Sequence, residues 1–331
     1  MFSLPYPGYD ITQAPVVNEA DVINLHWVAQ YQSPVTLRKL CSLGKPVVWT
    51  LHDQWAFTGG CHYTAGCQKY QTDCAKCPQL DNELSSIPSA VLKDKLDLFS
   101  GLALTFVTPS QWMADCLQKS RVFRDRRIEV IPNSLETDVF SPSSKEKAKQ
   151  TLGLEKDTLT FLFGGEDANE KRKGFFELVT AVKYLRKKSE FKVLLETKKV
   201  NMLCFGRPSD ELVSTGIPVV SLGYLGSDSE IRDAYCAADV FVLPSLEDNL
   251  PNTVLEAMSC GTLVLTSNES AKVILSKINK SFCLDNFDQA FDKMMEINTL
   301  DKNIVSKTLS DLVKSDHSLD HLMKEIADCF R

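Results

Sequence analysis

The sequence predicts an α/β protein with parallel sheets, divided into two domains. Three observations carry this. Apolar strand-like runs alternate with amphipathic stretches along almost the whole chain. A length of 331 residues suits two cores, at roughly 100–200 residues per domain. A polar stretch over 132–153, containing Phe140-Ser141-Pro142, separates two alternating regions and reads as a linker with a following helix.

The runs expected as strands are 21–25, 46–51, 102–107, 128–131, 158–163, 192–195, 201–205, 239–243 and 262–265. Amphipathic helices are expected at 174–188 and 229–238. A final helix starts at the capping residue Ser318 and carries Leu319, Leu322, Met323, Ile326, Ala327 and Phe330 on one face. The expected division is a first domain over 1–140, a second over 150–290, and C-terminal helices over 291–331 packing back on the body. No internal repeat or low-complexity segment interrupts this pattern.

Composition narrows the class. The chain is 44% hydrophobic and 24% charged, ordinary for a soluble globular protein. Its net charge of −6 gives no general pull toward nucleic acid or anionic lipid. No apolar run reaches the roughly 20 residues of a membrane span. We therefore expect no nucleic-acid partner and at most peripheral membrane contact. The 11 cysteines, an odd number with many inside apolar runs, suit a reducing compartment, so a cytoplasmic location is expected.

The most informative stretch is PSLEDNLPNTVLEAMSCG, from Pro244 to Gly261. It follows the apolar run Val240-Phe241-Val242-Leu243 and leads into a helical pattern over 253–259. Glu247 and Asp248 fall in the turn, and Glu256 on the helix. Carboxylates at the carboxyl end of a parallel strand face the crevice where open α/β sheets bind ligands. The free N–H groups of a helix start attract phosphate.

This stretch resembles the carboxylate motif, E-x(7)-E, of glycosyltransferase family 4, the retaining nucleotide-sugar transferases of the GT-B fold. Eight residues before Glu256 stands Asp248, an aspartate where the family has glutamate. Further matches are Leu25-His26-Trp27, the segment PVVWTLHDQWAFTGGCHY over 46–63, Thr108-Pro109-Ser110, Val130-Ile131-Pro132-Asn133, and Leu222-Gly223 followed by Tyr235 and Ala237-Ala238-Asp239. The resemblance implies two Rossmann-like domains facing a cleft. It implies that Asp248 touches the donor sugar, Glu256 holds the ribose, and Asn249, Leu250, Asn252 and Thr253 line the donor. Two departures stand out. The opening strand and glycine-rich loop of the family are not evident before residue 21, so the first domain is expected to be truncated. The paired-glycine turn after 263–266 is replaced by Ser267-Asn268-Glu269-Ser270.

Basic and histidine residues complete the expected site. Lys173 is followed by Gly174 and resembles the family's lysine on the donor diphosphate, with Arg172 as its partner. Two cations would stabilise an anionic leaving group and can substitute for a metal, so no catalytic metal is expected. A solvated basic helix start is the plainer reading. His52 ends the run 46–51 and resembles a loop histidine near the donor sugar, which makes it a candidate catalytic residue alongside Asp248. His26 sits at a comparable strand end. Either histidine could equally hold a loop.

Cys61, Cys67, Cys74 and Cys77 lie in a loop with few apolar residues. Four thiolates on a structural zinc would stabilise such a loop. Two disulfides or four free thiols are the alternatives. The expected function is transfer of a hexose, with retention, from a nucleotide diphosphate-sugar to a glycan or lipid-linked glycan in exopolysaccharide or lipopolysaccharide synthesis. The alternative is a truncated, inactive relative that binds a nucleotide sugar or a partner transferase.

Overall fold

A computed structural model describes residues 1–164, 171–206, 208, 210–278, 283–284 and 302–329. The chain divides into two compact units, Met1–Pro132 and Asn133–Arg331. The division falls at the start of the stretch that the sequence marks as a linker.

The first unit is built on a four-stranded parallel sheet of β1 (Ile23–Leu25), β2 (Val47–Thr50), β3 (Thr105–Thr108) and β4 (Arg127–Val130), in that spatial order. Each strand follows a helical crossover, as parallel pairing requires. The crossovers are α2 (Pro34–Cys41) after β1, α3 (Ile87–Phe99) after β2 and α4 (Gln111–Lys119) after β3; a short α1 (Pro15–Glu19) precedes the sheet. Val47, Val48 and Trp49 are all buried, as expected of an inner strand covered on both faces. Trp49, Phe99, Phe106 and Phe123 form an aromatic cluster, with Phe106 and Phe123 centroids 4.6 Å apart. Ser33 and Thr36 close a capping box on α2, and Ser110 caps α4 through the Met113 amide.

The second unit carries β5 (Leu159–Gly164), β6 (Val200–Phe205), β7 (Val219–Ser221), β8 (Val240–Leu243) and β9 (Leu263–Thr266). All pairings are parallel and the spatial order is β7-β6-β5-β8-β9. The order reverses between β5 and β8, so their carboxyl ends flank a topological switch point. Its helices are α5 (Lys145–Thr151), α6 (Phe175–Leu185), α7 (Ser189–Glu196), α8 (Asp210–Ser214), α9 (Asp228–Ala237), α10 (Asn252–Ser259), α11 (Glu269–Ser276), α12 (Lys302–His317) and α13 (Leu319–Cys329). Leu309 and Val313 of α12 are fully buried in this unit's core, alongside Val254, Leu255 and Met258 of α10.

Two expectations are corrected. Residues 192–195 are helical, inside α7, and not a strand. Phe191 is fully buried and Leu194 and Leu195 pack partly on the same core, a spacing of three and four residues that only a helix presents on one face. Lys171–Lys173 do not open a regular helix but form a single tight turn ahead of α6. The strand β7 has no fully buried residue, so no apolar run announces it. Phe330, residues 285–290 of the expected second domain and residues 291–301 of the expected C-terminal segment lie outside the described residues. Among the described residues no helix is long and apolar enough to cross a membrane.

Candidate functional site

The second unit brings Arg172, Lys173 and Asp248 together just after the end of β8 and carries Glu256 on α10, the helix that follows. The turn carrying the cations is fixed by Gly174, whose φ of +71° is left-handed backbone. A Cβ at Gly174 would also run into the Pro244 carbonyl just after β8. The glycine of the Lys-Gly pair therefore exists to let this turn lie against the strand end. The Leu246 amide donates to the Arg172 carbonyl at 2.9 Å, tying the two segments together.

That contact brings both cations onto one carboxylate. Lys173 Nζ lies 2.7 Å and Arg172 Nη1 3.3 Å from Asp248 Oδ2. Arg172 also donates to the Glu247 carbonyl at 3.0 Å. Asp248 is buried while Glu247 is half-buried, so the acid in the family's register is the one the cations meet. The Asp248 carbonyl accepts from Asn268 Nδ2 at 3.4 Å and Ser270 Oγ at 3.3 Å. Asn268 also caps α11 through the Ala271 amide. The Ser267–Ser270 segment thus braces the acidic turn from behind.

Glu256 projects from α10 and is half-buried. Tyr235, fully buried on α9, donates its hydroxyl to Glu256 Oε2 at 2.9 Å. Burial raises the Glu256 carboxyl above its usual range, and the Tyr235 hydrogen bond offsets part of that rise. Between the two acids, Asn249 and Leu250 are buried, Asn252 is exposed and Thr253 is half-buried. Asn133 Nδ2 donates to Leu250 O at 3.1 Å and to Asn252 Oδ1 at 2.9 Å, holding the start of α10.

The first unit gathers a second cluster at the ends of β1 and β2. His26 Nδ1 and His52 Nε2 are 2.9 Å apart and their rings stack at 5.2 Å. His26 Nε2 also meets Asn24 Nδ2 at 3.2 Å. Partial burial lowers His52 below the usual imidazole value, repulsion from His26 lowers it further, and Asp53 opposes both. Asp53 accepts from Trp27 Nε1 at 2.8 Å and from the Trp55 amide at 2.8 Å, and pairs with buried His62 at 2.7 Å. His62 reaches Ser3 Oγ at 2.9 Å on its other nitrogen. Sequence reasoning passed over this Ser3–His62–Asp53–Trp27 chain, and over Tyr235 as the support of Glu256. A histidine nine residues after an aspartate in a strand-end loop was the available signal for the first.

Cys61, Cys67, Cys74 and Cys77 line one pocket together with Phe2, Tyr70, Pro78 and Pro88. None of the four is in a disulfide. Among the described residues, no group of three or more His, Cys, Asp or Glu side chains is already posed as a metal site.

Comparison with known proteins agrees with this geometry. Residues 14–139 match the family model described as Glycosyltransferase Family 4, and residues 158–297 the one described as Glycosyl transferases group 1. The chain belongs to the GT-B glycosyltransferases of the family 4 type. It is similar to a putative colanic acid biosynthesis glycosyl transferase of Escherichia coli (strain K12), at 28% identity over 80% of this chain and 63% of that protein. It is also similar to the N,N'-diacetylbacillosaminyl-diphospho-undecaprenol alpha-1,3-N-acetylgalactosaminyltransferase of Campylobacter jejuni, at 30% identity over 38% of this chain and 30% of that protein. The chain thus spans less than two thirds of the length of these relatives. Its fold resembles sucrose-phosphate synthase of Thermosynechococcus elongatus, with a TM-score of 0.66 and 17% identity over 94% of this chain and 73% of that one. It also resembles Anabaena HepE in complex with UDP-glucose, with a TM-score of 0.64 and 15% identity over 96% and 81%.

Proposed function

We propose that the chain transfers a hexose from a nucleoside diphosphate-sugar to a glycan or lipid-linked glycan, with retention at the anomeric carbon, in the synthesis of a surface polysaccharide. The observation that carries this reading is the convergence of Lys173 and Arg172 on Asp248, in the turn that leads into the helix carrying the Tyr235-supported Glu256. The cations suit a diphosphate leaving group, whose negative charge grows as the glycosidic bond breaks. Because they supply that charge themselves, donor binding needs no metal ion. We assign to Asp248 the double task of holding the cations and accepting from a sugar hydroxyl. Glu256 is an acceptor for ribose hydroxyls. The relatives that act on diphospho-undecaprenol-linked sugars support a lipid-linked acceptor. We assign the acceptor to the first unit, with His52 near the reacting sugar, and the whole to the cytoplasm.

The test is calorimetric titration with a panel of nucleoside diphosphate-sugars, with and without chelator, followed by a transfer assay on diphospho-polyprenol-linked acceptors. One donor binding without metal, and an α-linked product from an α-linked donor, are expected. An inverted product would overturn retention. Binding of the donor with no transfer to any acceptor would favour the inactive relative.

A further inference from the structure

We infer that Cys61, Cys67, Cys74 and Cys77 bind one zinc ion as a structural tetrathiolate, with Lys95 as the buried counter-charge. Between β2 and α3 there is no regular helix or strand, only short turns at Trp55–Phe57, Lys69–Gln71 and Asn82–Leu84. Yet Phe57, Cys61, Tyr70 and Cys74 within it are buried. A loop that orders this much chain without a regular element is the setting in which a four-ligand metal contributes to folding.

The four sulfurs come from separate turns and share one pocket. Left-handed backbone at Ala65, Gly66, Cys74 and Lys76 turns the chain back beside each of the last three cysteines. Cys61 and Cys74 are buried, while Cys67 and Cys77 are half-buried. The Gly59 amide donates to the Cys74 sulfur, the kind of outer contact that steadies a ligating thiolate.

Charge supplies the independent observation. Lys95 has no exposed surface. Its ammonium donates to the Trp55 and Thr58 carbonyls and lies 4.0 Å from the Trp55 ring centroid. Burial lowers its ammonium to about 7, and the charges of Cys61, Asp53 and Cys74 oppose that fall. A buried cation is stabilised by nearby anions; Asp53 is one, and neutral thiols or disulfides add none. A zinc ion with four thiolates carries a net charge of −2 and adds one. This site has no open coordination position, so its role is to fix the loop, and it stands whether or not the proposed transfer is correct.

Metal analysis of the full chain, purified without added metal, tests this. About one zinc per chain is expected, as for a four-ligand structural site. Chelation should release it and render four additional thiols reactive. Cobalt exchanged into the unmodified chain should show the visible absorption of a tetrahedral thiolate site. Cys67→Ser, at a half-buried position, should lose most of the zinc. A chain without zinc that takes up none when it is supplied, or four cysteines that react only after reductant is added, would overturn the assignment.

Discussion

The two units present contrasting sites. In the second unit, two cations already converge on one carboxylate, each held by a neighbour: Gly174 seats the cationic turn, Asn268 and Ser270 brace Asp248, and Tyr235 supports Glu256. In the first unit, the exposed rings of His26 and His52 rest on each other, and the charged group, Asp53, is turned to structural partners. The difference teaches where selectivity arises. On the proposed reading, a site for a doubly charged diphosphate has to be preorganised in charge, whereas one for neutral hydroxyls can be built from adaptable imidazoles.

The comparison breaks most sharply at Gly174. Gly174→Ala forces a left-handed conformation on a residue with a Cβ, at about 1–3 kcal/mol. It also drives that Cβ into the Pro244 carbonyl, and overpacking adds about 1–3 kcal/mol. Thermal unfolding should fall for the second unit and donor affinity should fall with it. Unchanged melting and affinity would mean that the turn is not what positions the cations.

Lys173→Ala should leave folding intact and weaken the diphosphate contact. A hydrogen bond to a charged group contributes about 1.5–3 kcal/mol, or roughly 10- to 150-fold in affinity. Nucleoside diphosphate should lose this much and nucleoside almost nothing. Equal losses for both ligands would move Lys173 off the diphosphate.

Much of this was legible in the sequence, and the failures have physical causes. The spacing of Asp248 and Glu256, read with Lys173-Gly174, marked the proposed donor site because short motifs fix a strand-turn-helix geometry that is local in the chain. The partners that complete it are distant: Tyr235 lies 21 residues from Glu256, and only the packing of α9 on α10 brings them together. The 192–195 run failed because a few apolar residues have no period of their own, and Phe191 had to be included to reveal the helical face. In the first unit His52 and His26 were legible as strand ends, but not that Asp53 is committed to His62 and Trp27. That commitment depends on a loop returning from residue 62.

Glu256 separates binding from stability. Its carboxyl is raised by burial, so it contributes most to folding when protonated, and that contribution is lost as pH rises through its folded value. At neutral pH the ionised form therefore costs the second unit stability. Glu256→Gln keeps an acceptor for the Tyr235 hydroxyl and removes the charge. The variant should melt slightly higher than the parent at neutral pH, yet bind donor roughly fivefold more weakly, since about 1 kcal/mol separates charged from neutral hydrogen bonds. A variant that loses stability and affinity together would make Glu256 a packing residue.

The smallest effect belongs to the histidine pair, and its sign is fixed. The folded value of His52 lies below its ordinary value, first through partial burial and then through His26, with Asp53 acting in the opposite sense. A base lowered on folding binds fewer protons in the native state. Stability of the first unit is therefore full above about pH 6.5 and declines as pH falls below it toward the folded value. His26→Asn should raise the His52 midpoint by removing both the covering ring and its charge, and should flatten this acid loss. Proton NMR titration of the His52 ring in both proteins, with melting followed across the same range, reads the two together. A His52 that titrates at its ordinary value in the parent, or does not move in the variant, would show that the stacked rings are not coupled. The first unit would then offer two independent imidazoles rather than a paired one.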